Sequence, residues 1–147
     1  PKRWAKPEEF EARGLPRDTV YWIDWKAFDL NKHPSDTFEV WLNTEYKVQI
    51  ISFDVGAKPG ELLKLNLAAS ILTDLASAVF NTDQEPNEAT GTMAIVGEEL
   101  QAITGKSFEE MRALFKKEDH GGYALVRAWA HEKLGTNAAF GRLDFRK

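Results

Sequence analysis

Histidine is the side chain that most often carries acid–base or metal chemistry near neutral pH. The 147-residue chain has three histidines, His33, His120 and His131. His120 lies in the sequence Asp-His-Gly-Gly, where the neighbouring carboxylate could orient and charge its imidazole. The same four residues also fit the end of a helix, with a histidine favoured by the helix dipole and a glycine in the left-handed conformation. We favour the helix end, because adjacent residues in a turn rarely form the hydrogen bond of a catalytic pair.

Metal, cofactor and nucleophile chemistry have little support in the sequence. Cysteine is absent, so there is no thiolate ligand, cysteine nucleophile or disulfide. His131 has no second histidine or glutamate at the spacing of the HxxxH, HExxH or ExxH ligand motifs. The GxSxG and SxxK nucleophile motifs and the glycine-rich phosphate loops are also missing. We therefore expect no metal and no cofactor, and the pattern favours a protein that is not an enzyme.

Protein recognition is the second kind of chemistry that the residue types allow. Strand alternation places Trp22 and Asp24 on one face of a predicted strand, and Glu39 and Trp41 on the same face of the next strand. Aromatic anchors among polar groups are typical of interface hot spots. The alternative is that the N-terminal helix and the C-terminal tail cover this face and make both tryptophans a second small core. The sequence supports the two interpretations equally.

Negative charge is concentrated in one segment of the chain. Five carboxylates and no Lys or Arg occur in residues 81–101, in a chain whose net charge is −4: Asp83, Glu85, Glu88, Glu98 and Glu99. Such a segment could face a basic partner and raise its association rate. The alternative is a solvated loop that leads into the N-terminus of a helix, where carboxylates are favoured. Together with Trp22, Asp24, Glu39 and Trp41, these carboxylates form the predicted partner-binding set.

The elements that must position these residues are strands in the first part of the chain and helices in the second. A short helix is expected at residues 7–12. Alternation of apolar and polar residues predicts three strands, at residues 19–28, 38–42 and 46–55. A three-residue loop between the last two strands would pair Leu42 with Tyr46 and keep the apolar residues on one face.

Helical spacing of apolar residues then predicts four helices, at residues 61–80, 93–103, 108–117 and 123–134. Ser107 and Glu110 form a capping-box pattern at the start of the third of these helices. The length fits one domain, and 43% apolar with 29% charged residues fits a globular protein. We therefore expect a single α+β domain over residues 1–147. It would be a small antiparallel β-meander followed by three to four helices packed on one face.

Charge and hydropathy argue against nucleic-acid and membrane partners. The chain is acidic overall, and Glu109 and Glu110 at the start of a candidate recognition helix would repel phosphate. The most apolar stretch, residues 62–80, contains Lys64 and Asp74, which are costly in lipid. No secretory signal is visible, so a cytoplasmic location is expected.

These observations favour a small cytoplasmic domain that binds or inhibits another protein. A toxin-neutralising immunity protein, directed at a basic toxin, is the most concrete version. The enzyme alternative is a small-molecule hydrolase or isomerase with a pocket between sheet and helices, for which the candidate residues are Asp24, Glu39, Asp119, His120 and His131. A helix-turn-helix-like nucleic-acid module is the least favoured alternative.

Overall fold

A computed structural model describes residues 1–52, 58–117 and 121–134, with side chains described for residues 1–48, 50, 66–117 and 121–130. The elements are β1 (Lys2–Ala5), α1 (Pro7–Ala12), β2 (Tyr21–Trp25), α2 (Pro34–Thr37), β3 (Phe38–Asn43), a 3-10 turn (Thr44–Tyr46), α3 (Lys47–Ser52), α4 (Lys58–Phe80), α5 (Thr92–Thr104), α6 (Phe108–Lys116) and α7 (Gly121–Leu134). The α+β class is confirmed, and the observed helices α1 and α4 to α7 match the five predicted ones.

The sheet differs in one respect from the predicted meander. Within the described residues its strand order is β1-β3-β2, with β1 parallel and β2 antiparallel to β3. It is therefore a mixed sheet whose third strand comes from the N-terminus. The predicted strand at residues 46–55 is wrong as far as residue 52, because the chain turns into α3 there, and residues 53–55 lie outside the described part.

Hydrogen bonds just after β3 explain why the chain turns into α3 and does not form a strand there. The side chain of Asn43 accepts a hydrogen bond from the backbone N–H of Glu45 at 3.0 Å, which starts the 3-10 turn. The hydroxyl of Tyr46 donates to the backbone carbonyl of Asp18 at 3.2 Å and holds the turn against the preceding loop. With the chain turned away, the proposed pairing of Leu42 with Tyr46 does not form, and Leu42 pairs with Trp4 of β1.

The main core lies between the sheet and helices α4 to α7. Ile23, Val40 and Leu42 of the sheet are buried in the same cluster as Val79 and Phe80 of α4. Helix α4 contacts α3, α5, α6 and α7, which explains why its apolar stripe is wide enough for burial on more than one side. None of the described helices is both long and apolar enough to cross a bilayer.

A second, smaller core lies on the other face of the sheet. Phe10 of α1 is fully buried against Trp41 of β3, edge to face, with 6.0 Å between the ring centroids. Ala5 belongs to the same cluster. Helices α4 to α7 pack on one face, as predicted, and α1 covers the opposite face, which carries Trp41, as the alternative of a second small core expected.

Candidate interaction surface

The four residues predicted to share a sheet face are neighbours across the β2–β3 pairing. Trp22 lies opposite Trp41, and Asp24 lies opposite Glu39. Their environments differ, since Trp41 is 5% exposed beneath α1 whereas Trp22 is 40% exposed. The alternative of a second core is thus correct for Trp41, and Trp22 remains available to a partner.

The charged groups around Trp41 are engaged within the fold. The guanidinium groups of Arg3 and Arg13 lie over its ring, at 4.7 and 5.0 Å from the centroid. Its indole N–H donates to Glu39 Oε1 at 3.1 Å. Asp24 forms an ion pair with Arg13 at 3.1 Å. Because Asp24 and Glu39 already have partners in the fold, they contribute little to a free recognition surface.

Among the described strands, β2 forms an edge of the sheet. The N–H of Asn43 donates to the carbonyl of Val20 at 3.0 Å, and the N–H of Lys26 donates to the carbonyl of Thr37 at 2.7 Å. Even-numbered residues of this strand therefore direct their backbone groups towards β3. The backbone groups of the odd-numbered residues Tyr21, Ile23 and Trp25 point outwards, and no described residue bonds to them.

Apolar side chains flank this edge on both faces of the sheet. Val20 and Trp22, both 40% exposed, stand on the α1 side, while Trp25, 38% exposed, stands on the α4 side. Phe28, just beyond the strand, is 98% exposed. Among the large apolar side chains that the structure describes as exposed, Val48 alone lies elsewhere. The described apolar exposure is thus concentrated along β2 and the residues that follow it.

An open groove of about 600 Å³ runs along the edge strand, lined by Thr19, Val20, Tyr21, Trp22, Ile23, Trp25 and Asp74. Asp74 comes from α4 and is the one carboxylate in this lining. Its oxygens accept hydrogen bonds from the hydroxyl of Tyr21 and, at 3.5 Å, from that of Tyr123. No described Lys or Arg side chain forms an ion pair with Asp74.

The phenol of Tyr21 is held in its protonated form. Burial raises the pKa of Tyr21 above its ordinary value of 10.0, and the hydrogen bond to Asp74 raises this pKa further. Both causes act in the same direction, because burial and a neighbouring carboxylate each oppose the phenolate charge. Tyr21 therefore serves as a hydrogen-bond donor that positions the Asp74 carboxylate in the groove.

This raised pKa predicts a loss of stability in alkaline solution. A folded-state pKa above the unfolded value gives stability that is complete below pH 10.0 and is lost as the pH rises beyond it. Between about pH 9 and 11, the urea midpoint of the wild type should fall more steeply than that of Tyr21→Phe. The control is Tyr46→Phe, which removes a hydroxyl bonded to a neutral carbonyl. If the urea midpoint fell equally steeply with pH in Tyr21→Phe and in the wild type, the prediction would be contradicted.

The loop at residues 81–91 carries three of the predicted carboxylates and lies against the segment that follows β2. Gln84 Nε2 donates to the carbonyl of Phe28 at 2.6 Å, and Gln84 Oε1 accepts from the N–H of Leu30 at 2.9 Å. Asn31 Nδ2 donates to the carbonyl of Glu85 at 2.9 Å. The structure therefore ties the acidic loop to the backbone of the segment that carries Phe28.

Some of these carboxylates have cationic partners that the local sequence does not reveal. Glu85 pairs with Arg112 of α6 at 2.6 Å, and Asp83 lies 3.8 Å from Lys116 of the same helix. Asp83 and Glu88 are exposed in the loop, and Glu98 is exposed and Glu99 partly exposed on α5. The acidic segment is thus partly neutralised in three dimensions.

Of the residues suggested for an enzyme, the two that the structure describes with side chains, Asp24 and Glu39, do not line the groove. Asp24 and Glu39 stand on the α1 side of the sheet, away from Asp74. Residues 119 and 120 and the side chain of His131 lie outside the described part. His33 caps α2 by accepting from the N–H of Ser35 at 3.3 Å. In the described ranges, no group of three or more His, Asp or Glu residues could hold a metal ion.

No known protein-family model, curated protein or solved structure matches the chain. The geometry of this surface is therefore the basis for a function.

Asp74 is not among the predicted site residues, because in the sequence it is a polar interruption of an apolar helix. A carboxylate within an apolar helical stripe was itself the available signal, because such a group needs a partner when the stripe is buried. The edge was also visible as apolar residues on both faces of one predicted strand, namely Val20 and Trp22 with Tyr21, Ile23 and Trp25.

Proposed function

We propose that this domain binds another protein by adding an extended segment of that protein to the free edge of β2. The observation that carries the proposal is the row of outward backbone groups at Tyr21, Ile23 and Trp25, flanked by exposed apolar side chains. Main-chain pairing of this kind supplies affinity, and alternate side chains supply specificity.

Among the described residues, the edge lacks three of the devices that keep sheet edges from pairing. Exposed edges are commonly protected by proline, by lysine or by a bulge. Residues 20–25 contain neither Pro nor Lys, and the register with β3 is continuous over the strand. Lys26 follows the strand, but its ammonium group lies 3.7 Å from Glu39. Within the part of the chain that the structure describes, the edge is therefore open to a partner strand.

The side chains beside the edge resemble a protein-recognition surface. Trp22, Trp25 and Phe28 supply aromatic anchors, and the loop that carries the exposed Asp83 and Glu88 is hydrogen-bonded through Gln84 to the backbone of Phe28. Aromatic anchors with a polar rim are typical of interfaces, and an acidic rim attracts a basic partner. Neutralisation of a basic toxin by an immunity protein is the most concrete form of this proposal. The alternative of a hydrolase or isomerase that uses Asp24 and Glu39 has less support, because neither residue lines the groove.

A lysine placed at the edge should block binding. We expect a library of random twelve-residue peptides, selected on the immobilised domain, to yield sequences that alternate apolar residues. Val20→Lys should weaken the best such peptide at least tenfold in fluorescence polarisation, because a charge at the edge opposes strand addition. Val48→Lys is the matched control, since Val48 is exposed but lies outside the groove lining. Equal effects of the two substitutions, or selected peptides without alternation, would contradict the proposal.

A further inference from the structure

We propose that the segment added to β2 carries a Lys or Arg side chain that forms an ion pair with Asp74. This inference rests on the proposed strand addition and specifies the partner as an extended basic segment.

Asp74 has the environment of a carboxylate that can accept a cation. It lies between Thr73, which is fully buried, and Leu75, which is 7% exposed, yet it lines the open groove. Its hydrogen bonds come from the neutral hydroxyls of Tyr21 and Tyr123. Since a partly desolvated carboxylate interacts more strongly with a cation than a solvated one does, an incoming ammonium or guanidinium group would gain more here than at the open surface.

Among the described residues, no Lys or Arg of the domain forms an ion pair with Asp74. Arg127 is the cation near Tyr21, where it slightly opposes the rise in the pKa of that phenol. Its guanidinium group donates to Ser70 Oγ at 3.5 Å and makes no ion pair with Asp74. Arg13, on the other side of the sheet, is paired with Asp24. A partner can therefore supply the cation that forms an ion pair with Asp74.

The geometry of an added strand brings a basic side chain to this carboxylate. Such a strand would lie about 4.8 Å beyond β2, and its side chains would alternate between the two faces. On the α4 side, a Lys or Arg stem would pack along Tyr21 and Trp25, with its charged end at Asp74. On the α1 side, the alternate residues would contact Val20 and Trp22. The expected segment therefore alternates apolar and basic residues.

The same charge argument disfavours a second copy of this chain as the occupant. Residues 19–25 contain no Lys or Arg, so antiparallel pairing of two β2 strands would bring no cation from the paired strand to Asp74. A separate basic partner can both pair with the backbone groups of β2 and form an ion pair with Asp74.

Two synthetic peptides test the inference. Both are fluorescein-labelled, capped, nine-residue sequences of alternating Val and Thr, and they differ in whether the central residue is Lys or norleucine. We expect the wild-type domain to bind the Lys peptide about tenfold more tightly in fluorescence polarisation, which corresponds to about 1.4 kcal/mol. Asp74→Asn should remove this preference while the norleucine peptide keeps its affinity. The control Asp24→Asn, which changes a carboxylate on the opposite face, should preserve it.

The outcomes separate the inference from the proposed function. Equal binding of both peptides by the wild type would overturn the role of Asp74 and leave strand addition standing. Binding of neither peptide would overturn strand addition, and the inference with it. Sedimentation velocity adds one more outcome: a dimer that forms in the micromolar range and is abolished by Val20→Lys would identify a second copy as the occupant and overturn the inference.

Discussion

Replacing Phe10 with alanine should lower the free energy of unfolding by about 3–5 kcal/mol, the usual range for removing a buried phenylalanine ring. Phe10 is fully buried and packs edge to face on Trp41. Helix α1 has six residues, and Phe10 and Pro7 are its buried ones. A helix this short is not stable in isolation, so loss of the ring removes most of what holds α1 on the sheet.

A matched substitution separates burial from residue type. Phe28→Ala removes the same side chain from a position that is 98% exposed, and surface substitutions usually change stability by less than about 0.5 kcal/mol. Urea denaturation followed by far-ultraviolet circular dichroism would measure both variants. If Phe10→Ala and Phe28→Ala lowered the free energy of unfolding by similar amounts, the second core would not be a stabilising element.

The helices were predictable because their signals are local. Ser107 and Glu110 form the capping box that the spacing predicts, at the first turn of α6. Gly105 ends α5 with φ of 73°, a left-handed conformation that glycine adopts without steric cost. These features depend on residues within a few positions of one another, so the pattern alone located both helix ends.

The third strand was not predictable because non-local contacts decide it. Alternation at Tyr46, Val48 and Ile50 is typical of a strand, but Tyr46 and Ile50 also have helical spacing, and Ile50 is 3% exposed in α3. Strand β1 has four residues, of which Lys2 and Arg3 are charged, so it carries almost no strand signal. Its pairing depends on the open side of β3, a feature of the assembled sheet.

The interaction surface shows the same division between local and non-local information. The alternation of side chains along a strand correctly placed Trp22 and Trp41 on one face of the sheet. The burial of Trp41, however, depends on Phe10, which lies 31 positions earlier in the chain. The acidic segment contains no cation of its own, yet Glu85 is paired with Arg112, 27 positions away. Charge and exposure at a surface are properties of the tertiary structure. The sequence pattern therefore identifies candidate residues, but it does not give their exposure or their ion pairs.

Replacing Arg112 with methionine should lower the free energy of unfolding by about 2–3 kcal/mol, since hydrogen bonds to charged groups contribute about 1.5–3 kcal/mol each and relief of guanidinium desolvation offsets part of that loss. The Arg112 side chain is 7% exposed. It donates to Glu85 Oε1 at 2.6 Å and to the carbonyl of Gln84, and it lies 4.8 Å from the ring centroid of Phe108. Its Nε is buried and has no hydrogen-bond partner among the described residues. Arg112 thus holds the acidic loop against the body of the domain.

Arg17→Met is the matched control for this prediction. Arg17 also reaches two carboxylates, Glu8 at 3.3 Å and Glu11 at 3.7 Å, but its side chain is 52% exposed. Because exposed ion pairs contribute little to stability, urea denaturation should show a clearly smaller loss of unfolding free energy for Arg17→Met than for Arg112→Met. Hydrogen exchange should show faster exchange of the Leu30 amide, which donates to Gln84, in Arg112→Met alone. Unchanged exchange at Leu30 would show that the loop is held without Arg112, and that the position of its carboxylates does not depend on this buried guanidinium group.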